Sequence, residues 1–200
     1  MPAVPPPVAA RALAIATSKL GQKEVGGPNQ GPIVEWSAEP WTSRHPGPTD
    51  WARWCAFFVS TCYLEAFAAE PRGLLHQDPA IRWQGLGSGS CDRLWQHLDE
   101  AEATGRDVAA AQPGDLLFFG GWRCTDTKHC HARVAEGQTP CPKCGAPAEL
   151  DLDHVGLVER IEDGVVLTIE GNSGDAVRRQ RHPLGAPLLW GWARPALLLE

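Results

Sequence analysis

The sequence predicts an α+β fold, with N-terminal helices packed on one face of an antiparallel sheet. Three observations indicate this fold. Segments of helical periodicity fill the first half of the chain, and short apolar segments separated by turn residues fill the second half. The 200 residues, 43% of them hydrophobic, also suffice to bury a core. We expect a poorly ordered Pro-rich tail over residues 1–7 and a single domain over residues 8–200.

The helices are predicted from runs of good helix formers and from the residues that stop them. Gly21 ends the first helix, and the segment from Cys55 to Ala69 contains no Gly or Pro. The chain from Trp41 to Asp50 is rich in Pro and Gly and is expected to be a loop. The predicted helices are residues 8–20, a single turn over 33–36, residues 55–69, and a segment from 90 or 91 to near 105.

The strands are predicted from short apolar segments bounded by turns. Pro113-Gly114-Asp115 leads into a buried strand that Gly120-Gly121 ends, and Asp163-Gly164 is a hairpin signal between two later strands. The predicted strands are residues 116–119, 154–161, 165–170, 176–182 and 188–193.

Charge and apolar run length exclude several classes of function. A formal net charge of −6 and a pI near 5.6 argue against nucleic acid as the main partner and provide no attraction to anionic membranes. No apolar run is long enough to cross a bilayer, so no integral membrane segment is expected. Residues 1–7 lack the features of a secretory signal. We therefore expect synthesis in the cytoplasm without a signal peptide, with any export by another route.

Cys55 is the first candidate for chemistry. The turn-rich segment that precedes it cannot be helical, so the helix is expected to begin close to Cys55. A thiol in the first turn of a helix lies at the positive end of the helix dipole, which favours the thiolate. The position is also compatible with a buried core cysteine, and a nucleophile needs a base from elsewhere in the chain.

A predicted hairpin decides which side chains face each other in the later part of the sheet. A three-residue loop over residues 162–164 pairs Ile161 with Val165. The antiparallel ladder then places Gly156 opposite Glu170. A two-residue loop would shift the register by one residue and separate His154 from Glu170 and Asn172.

The same register brings three polar residues together. His154 is expected opposite Asn172, with Glu170 on the same side of the sheet. A cysteine nucleophile needs an imidazole to take its proton, and the imidazole needs a carboxylate or amide to orient it. His154 is therefore the candidate base for Cys55, with Glu170 or Asn172 as the orienting group.

Several histidines and two core cysteines are given no chemical role. Four histidines lack so regular a scaffold as that of His154, namely His45, His76, His97 and His182. Cys62 and Cys91 are interpreted as packing residues.

Five segments of the chain resemble the cysteine, histidine-dependent amidohydrolase/peptidase (CHAP) family and its NlpC-type relatives. They cover roughly residues 8–120 and 150–195, in the order of the family. These segments are Leu20-Gly21-Gln22-Lys23-Glu24-Val25 with Pro28-Asn29, then Trp54-Cys55-Ala56-Phe57-Phe58-Val59-Ser60, then Pro113-Gly114-Asp115-Leu116-Leu117-Phe118-Phe119, then Asp153-His154-Val155-Gly156-Leu157-Val158, and Ile169-Glu170-Gly171-Asn172.

The resemblance implies a papain-like α+β fold and hydrolysis of amide bonds in bacterial peptidoglycan, between sugar and stem peptide or within the peptides. It implies Cys55 as nucleophile, His154 as base, and Glu170 and Asn172 as orienting residues. An endolysin or a secreted effector would be consistent with a chain that lacks a signal peptide. Some relatives bind calcium through an acidic loop before the cysteine, but this sequence has no such cluster.

A Cys-rich insertion over residues 121–150 departs from the family pattern, in which this strand connection is shorter. The cysteines have the spacing Cys124-x5-Cys130-x10-Cys141-x2-Cys144. The Cys-Pro-Lys-Cys-Gly end is typical of a zinc knuckle, whereas the x5 spacing of the first half is atypical. We expect these four thiolates to hold a structural Zn²⁺. His129 or His131 is an alternative to Cys130, and free or disulfide-linked thiols are the alternative to a metal.

Two other functions fit the same sequence. A protease that acts on proteins would use the same papain-like scaffold. A non-enzymatic binding module would use the zinc knuckle and the Trp-rich surface to hold a partner.

Overall fold

The computed structural model describes residues 6–42, 53–69, 83, 87–126, 128, 130, 132–136 and 138–199 and confirms the predicted α+β architecture. The helices in this part of the chain are α1 (Pro7–Ser18), α2 (Pro32–Thr42), α3 (Cys55–Ala68) and α4 (Cys91–Glu100). The strands are β1 (Thr104–Gly105), β2 (Leu116–Cys124), β3 (Ala148–Glu162), β4 (Val165–Glu170), β5 (Arg178–Pro183) and β6 (Leu189–Ala193). Short 3-10 helices span Val108–Ala110 and Pro195–Leu199.

The six strands form one antiparallel sheet in the order β1-β6-β2-β3-β4-β5. Alternate residues of the central strands enter two different hydrophobic clusters, as the two-residue period of a strand requires. Phe118 and Leu157 belong to the main core with α1, α3 and α4, whereas Phe119 and Val158 belong to a smaller cluster with Val108. The sheet therefore has the main hydrophobic core, shared with the helices, on one face and the smaller cluster on the other face.

Helix α3 lies at the centre of the helical layer, packed against α1, α2 and β3. Residues 55–63 are all buried, so the polar side chains among them need internal partners. The Ser60 hydroxyl donates to the Ser88 carbonyl, the Thr61 hydroxyl donates to the Ser37 carbonyl, and the Tyr63 hydroxyl donates to the Gly114 carbonyl. These bonds fix the position and the rotation of α3 in the core, and they therefore also fix Cys55 at its start.

Helix α2 is longer than the single turn predicted from the sequence. It continues through Pro40, and Trp41 at its end is buried, with its Nε1–H donating to Thr61 Oγ1 at 2.8 Å. This tertiary contact outweighs the local preference of the proline-containing segment for a loop. Residues 43–50 of the predicted loop lie outside the described residues.

Strands β2 and β3 are also longer than predicted and form an extended hairpin. β2 passes through Gly120 and Gly121 instead of ending there, and its last pair joins Cys124 to Ala148. A side chain at Gly120 would come within 2.3 Å of the Asp151 carbonyl oxygen, so glycine permits the close approach of the two strands at this point. The Cys-rich insertion is thus mounted on the end of the two central strands.

The β3–β4 hairpin corrects one prediction and confirms another. The loop has two residues, not three, since Glu162 pairs with Val165, and Asp163 and Gly164 have φ of 49° and 73°. The ladder shifts again between Val158 and Arg160, where Glu159 is bulged, and Leu157 then pairs with Ile169. The bulge cancels the effect of the shorter loop, so the predicted register holds in the half of the hairpin that leads to His154.

Among the described residues, no helix combines the length and the apolar character that a bilayer crossing requires.

Gly171→Ala is expected to destabilise the fold by about 1–3 kcal/mol, because overpacking a buried contact forces its neighbours to move. An added Cβ would lie 2.6 Å from Phe58 Cβ and 2.8 Å from Trp54 Cζ3, both at the start of α3. Urea unfolding measures the change in the free energy of unfolding. Gly185→Ala is the matched control, since nothing lies within 4 Å of its added Cβ. Equal unfolding midpoints for the two variants would contradict this packing.

Candidate active site and metal centre

Cys55 is the first residue of α3 and is only 1% exposed. No side chain caps the start of the helix, so the positive end of the helix dipole acts on the thiol itself. The preceding residue, Trp54, is held by its Nε1–H, which donates to Glu24 Oε1 at 2.8 Å. The other Glu24 oxygen accepts the Asn29 backbone N–H at 2.6 Å. A loop near the N-terminus therefore fixes the entry into the helix that carries Cys55.

Three groups surround the Cys55 sulfur. The Cys91 sulfur lies 3.8 Å from it, and the His154 imidazole and the Val155 backbone N–H are near enough to lower the pKa of the Cys55 thiol. The hydrogen bond from Cys91 contributes most to lowering the pKa of Cys55. Together with His154 it outweighs burial and brings the pKa well below the usual range of a thiol. The thiol is therefore poised as a thiolate.

Glu170 forms the opposite end of the site. Its side chain is 3% exposed, with Oε2 2.8 Å from His154 Nε2 and Oε1 2.7 Å from His182 Nε2. The Thr168 hydroxyl also donates to Oε1. Burial alone would raise the pKa of Glu170, but the hydrogen bonds from His154 and His182 outweigh it and lower the pKa to about 2. Glu170 is a carboxylate at any physiological pH.

His154 connects the two ends. Burial alone would lower its pKa, but the hydrogen bonds with Cys55 and Glu170 dominate and raise the pKa to about 10. Because Nε2 is engaged by Glu170, Nδ1 is the ring nitrogen left available for Cys55. The two pKa shifts run in the directions that favour a thiolate on Cys55 and an imidazolium on His154. The side chain of His154 is 24% exposed, which makes it far more open to solvent than Glu170.

Asn172 lies in the turn that follows β4, with a positive φ of 57°, and is half-buried. The β3–β4 ladder ends at Ile169, so Asn172 is not part of the pairing that the sequence predicted for it. Among the described residues, it is Glu170 that contacts His154 Nε2.

His182 is the site residue that sequence reasoning missed. It lies on β5 and shares the Glu170 carboxylate with His154, and the Phe119 ring packs against both imidazoles, at centroid distances of 5.5 Å from His154 and 4.7 Å from His182. The only signal in the sequence is a histidine on a predicted strand. Its partner depends on the order and curvature of the strands, which the local pattern does not contain.

Two glycines of the family-like segments make room at the site. A Cβ on Gly156 would lie 2.6 Å from Glu170 Cγ, and Gly171 is in close contact with Trp54 and Phe58. The backbone at both positions approaches its neighbours more closely than any other residue type allows. Three of the segments that resemble the family therefore contact one another: the segment of Gly156 packs on that of Glu170, and the segment of Gly171 packs on the start of α3.

No protein-family model matches the chain, and neither a curated protein nor a solved structure does.

The four cysteines of the insertion form a second cluster. The sulfur atoms of Cys124, Cys130, Cys141 and Cys144 all lie within 4.8 Å of one another, with separations of 3.3 Å and 3.7 Å for two of the pairs. A disulfide requires about 2.05 Å, and all four thiols are free. A tetrahedral site with Zn–S bonds of about 2.3 Å has sulfur separations of about 3.8 Å. The cluster can therefore bind a metal ion such as zinc.

The thiols of the cluster differ in pKa. Desolvation raises the pKa of Cys124 to about 12, and the pKa of Cys130 is also raised. The N–H of Lys143, followed by that of Cys144, outweighs desolvation and lowers the pKa of Cys141 to about 7. The proposed alternatives to Cys130, His129 and His131, lie outside the described residues.

Glu170→Gln is expected to raise the pKa of Cys55, and each unit of that rise slows alkylation by iodoacetamide about tenfold at pH values below the pKa. Loss of the carboxylate lowers the pKa of His154, and the weaker imidazolium then raises the pKa of Cys55. The measurement is the labelling rate against pH. In the native protein it stays high from neutral into mildly acidic pH, and in the variant the rise with pH is displaced upward. Glu159→Gln, which removes an ion pair with Arg179, is the control and keeps the native profile. A native profile for Glu170→Gln would contradict the linkage.

One metal ion is expected to bind per chain. Titration with Co²⁺ should give the absorption of a tetrahedral tetrathiolate complex, saturating at one equivalent. Cys144→Ser, at an exposed ligand, should weaken binding by at least roughly tenfold, as even the loss of an outer partner of a ligand does. Cys62→Ala removes a core thiol outside the cluster and should bind as the native chain does. Saturation unaffected by Cys144→Ser would contradict the assignment.

Proposed function

We propose that the protein is a cysteine-dependent amidohydrolase or endopeptidase of the CHAP/NlpC type, with a papain-like fold, that cleaves an amide bond in bacterial peptidoglycan. The observation that carries the proposal is the continuous series from the Cys55 sulfur through His154 to the buried Glu170 carboxylate. Peptidoglycan as the substrate is supported by the order and identity of the segments that resemble that family.

The chemistry follows from the charge state of the pair. The Cys55 thiolate attacks the carbonyl carbon of the amide and forms a tetrahedral intermediate. His154 gives its proton to the leaving amine, which leaves a thioester on Cys55. Water then attacks the thioester carbonyl while His154 takes up its proton. The carbon–sulfur bond breaks, the carboxylic acid is released, and the Cys55 thiolate is regenerated.

The environment of the pair performs two further tasks. Glu170 keeps the imidazole oriented with Nδ1 towards Cys55 and stabilises its positive charge without itself changing protonation. The Cys55 backbone N–H, at the uncapped start of α3, is an oxyanion donor for the tetrahedral intermediate. Both tasks require a rigid α3, and the buried hydrogen bonds of that helix supply this rigidity.

The metal proposed for the cysteine cluster is zinc. Four thiolates complete its coordination, so the ion is structural and leaves no position for substrate. Its ligands include Cys124 at the end of β2, and the loop that it closes joins β2 to β3, the strand of His154. Zinc would therefore hold together the distal end of the hairpin on which the base is mounted.

Incubation with purified peptidoglycan tests the proposal. The native protein should release fragments, Cys55→Ala should release none, and His154→Ala should lower the rate by at least about 10², the usual contribution of a general acid–base group. Mass spectrometry of the fragments identifies the bond: an amidase frees the intact stem peptide from the sugar, and an endopeptidase cuts within the peptides. Cys62→Ala, with unchanged far-UV circular dichroism, is the control.

The other outcomes distinguish the remaining functions. Absence of fragments, or equal release by Cys55→Ala, would overturn the proposal. Cleavage of protein substrates without attack on peptidoglycan would indicate a protease. Labelling of Cys55 no faster than that of Cys62, with no hydrolysis of either substrate, would indicate a binding module. An enzyme of the proposed kind acts on the cell wall after release or delivery, as an endolysin or secreted effector does.

A further inference from the structure

We propose that Cys91 is a redox partner of the nucleophile, and that oxidation joins Cys55 and Cys91 in a reversible disulfide that switches the site off. This inference rests on the proposed function, since Cys55 must be the reactive thiol. It gives a chemical role to a residue that the sequence presented only as packing.

The first argument is geometric. The two sulfur atoms are 3.8 Å apart, and both thiols are free and buried. A disulfide needs about 2.05 Å, so the sulfurs must approach by less than about 2 Å. Cys55 is the first residue of α3 and Cys91 is the first residue of α4, so the starts of two helices converge on one point.

The start of α4 is held firmly in this position. The Ser90 hydroxyl caps the helix by accepting the Arg93 backbone N–H. On the other side, Asp92 Oδ1 accepts the Leu152 backbone N–H of β3 at 2.7 Å. Cys91 is therefore fixed between a helix cap and a bond to the strand of His154, and its contact with Cys55 is built into the fold.

The second argument is the difference in protonation between the two thiols. Cys91 and His154 lower the pKa of Cys55 and so favour its thiolate. The hydrogen bond to Cys55, with burial, raises the pKa of Cys91 and keeps that thiol protonated. A thiolate reacts with peroxide and a thiol does not, so oxidation begins at Cys55 and Cys91 acts second.

Hydrogen peroxide serves as the oxidant. The Cys55 thiolate attacks one oxygen, the O–O bond breaks, and hydroxide leaves and is protonated to water, which gives a sulfenic acid on Cys55. The Cys91 thiol then loses its proton, its sulfur attacks the Cys55 sulfur, and the S–O bond breaks to release a second water. Two thiols and one peroxide become one disulfide and two waters. An added dithiol restores both thiols by exchange.

The disulfide prevents loss of the nucleophile. Without a neighbouring thiol, a sulfenic acid in excess peroxide proceeds to a sulfinic acid, which thiols do not reduce. With Cys91 at 3.8 Å, the sulfenic acid is intercepted within the site. Oxidation then becomes a reversible inhibition.

The experiment uses the full chain with its cysteine cluster loaded with Zn²⁺. After treatment with excess hydrogen peroxide, peptide mass spectrometry should find Cys55 linked to Cys91, and iodoacetamide labelling of Cys55 should disappear. Dithiothreitol should restore labelling fully. In Cys91→Ala and Cys91→Ser, Cys55 should become sulfinic acid and labelling should not return. Cys62→Ala should behave as the native chain.

Two results would overturn the inference: oxidation of Cys55 without a link to Cys91, or full recovery of the Cys91 variants with dithiothreitol. The readout does not depend on hydrolysis. A chain that releases peptidoglycan fragments and forms no disulfide loses this inference alone. A chain that forms the disulfide and releases no fragments loses the proposed function alone.

Discussion

A buried carboxylate is the constraint around which the site is arranged. An ionised group removed from water is stable only when its lone pairs are matched by donors of suitable charge, and Glu170 meets this requirement with two imidazoles and the Thr168 hydroxyl. Those bonds bring β3, β4 and β5 together on one acidic group. Because Glu170 must be compensated, the bond to Nε2 holds the His154 ring in place and leaves its second nitrogen available for Cys55.

The cluster of four cysteines and the candidate active site share one structural support. The two central strands run from the Phe119–His154 pair at the site to the Cys124–Ala148 pair at the cluster. Along this path Arg123 and Asp151 are joined by an ion pair of 2.7 Å. The β2–β3 hairpin is thus held at one end by the bond of His154 to the buried Glu170, and it carries the four thiols at the other end.

Local signals in the sequence sufficed for the parts of the fold that depend on local chemistry. The start of α3 at Cys55 and the limits of β4 agree with prediction because turn residues bound both elements. The approach of Cys91 to Cys55 and the bond from His182 to Glu170 were not predicted. They depend on how two helices cross and on the order of the strands. Neither arrangement produces a periodic pattern in the sequence.

The bulge at Glu159 separates the tip of the β3–β4 hairpin from its functional end. A two-residue loop with a bulge gives the same pairing at Leu157 as a three-residue loop with a regular ladder. A residue bulged out of β3 and an extra residue in the loop therefore have the same effect on the register of the hairpin. Deletion of the bulged residue would leave Leu157 opposite Ile169, so the histidine and the carboxylate would keep their spacing with one residue fewer in the strand.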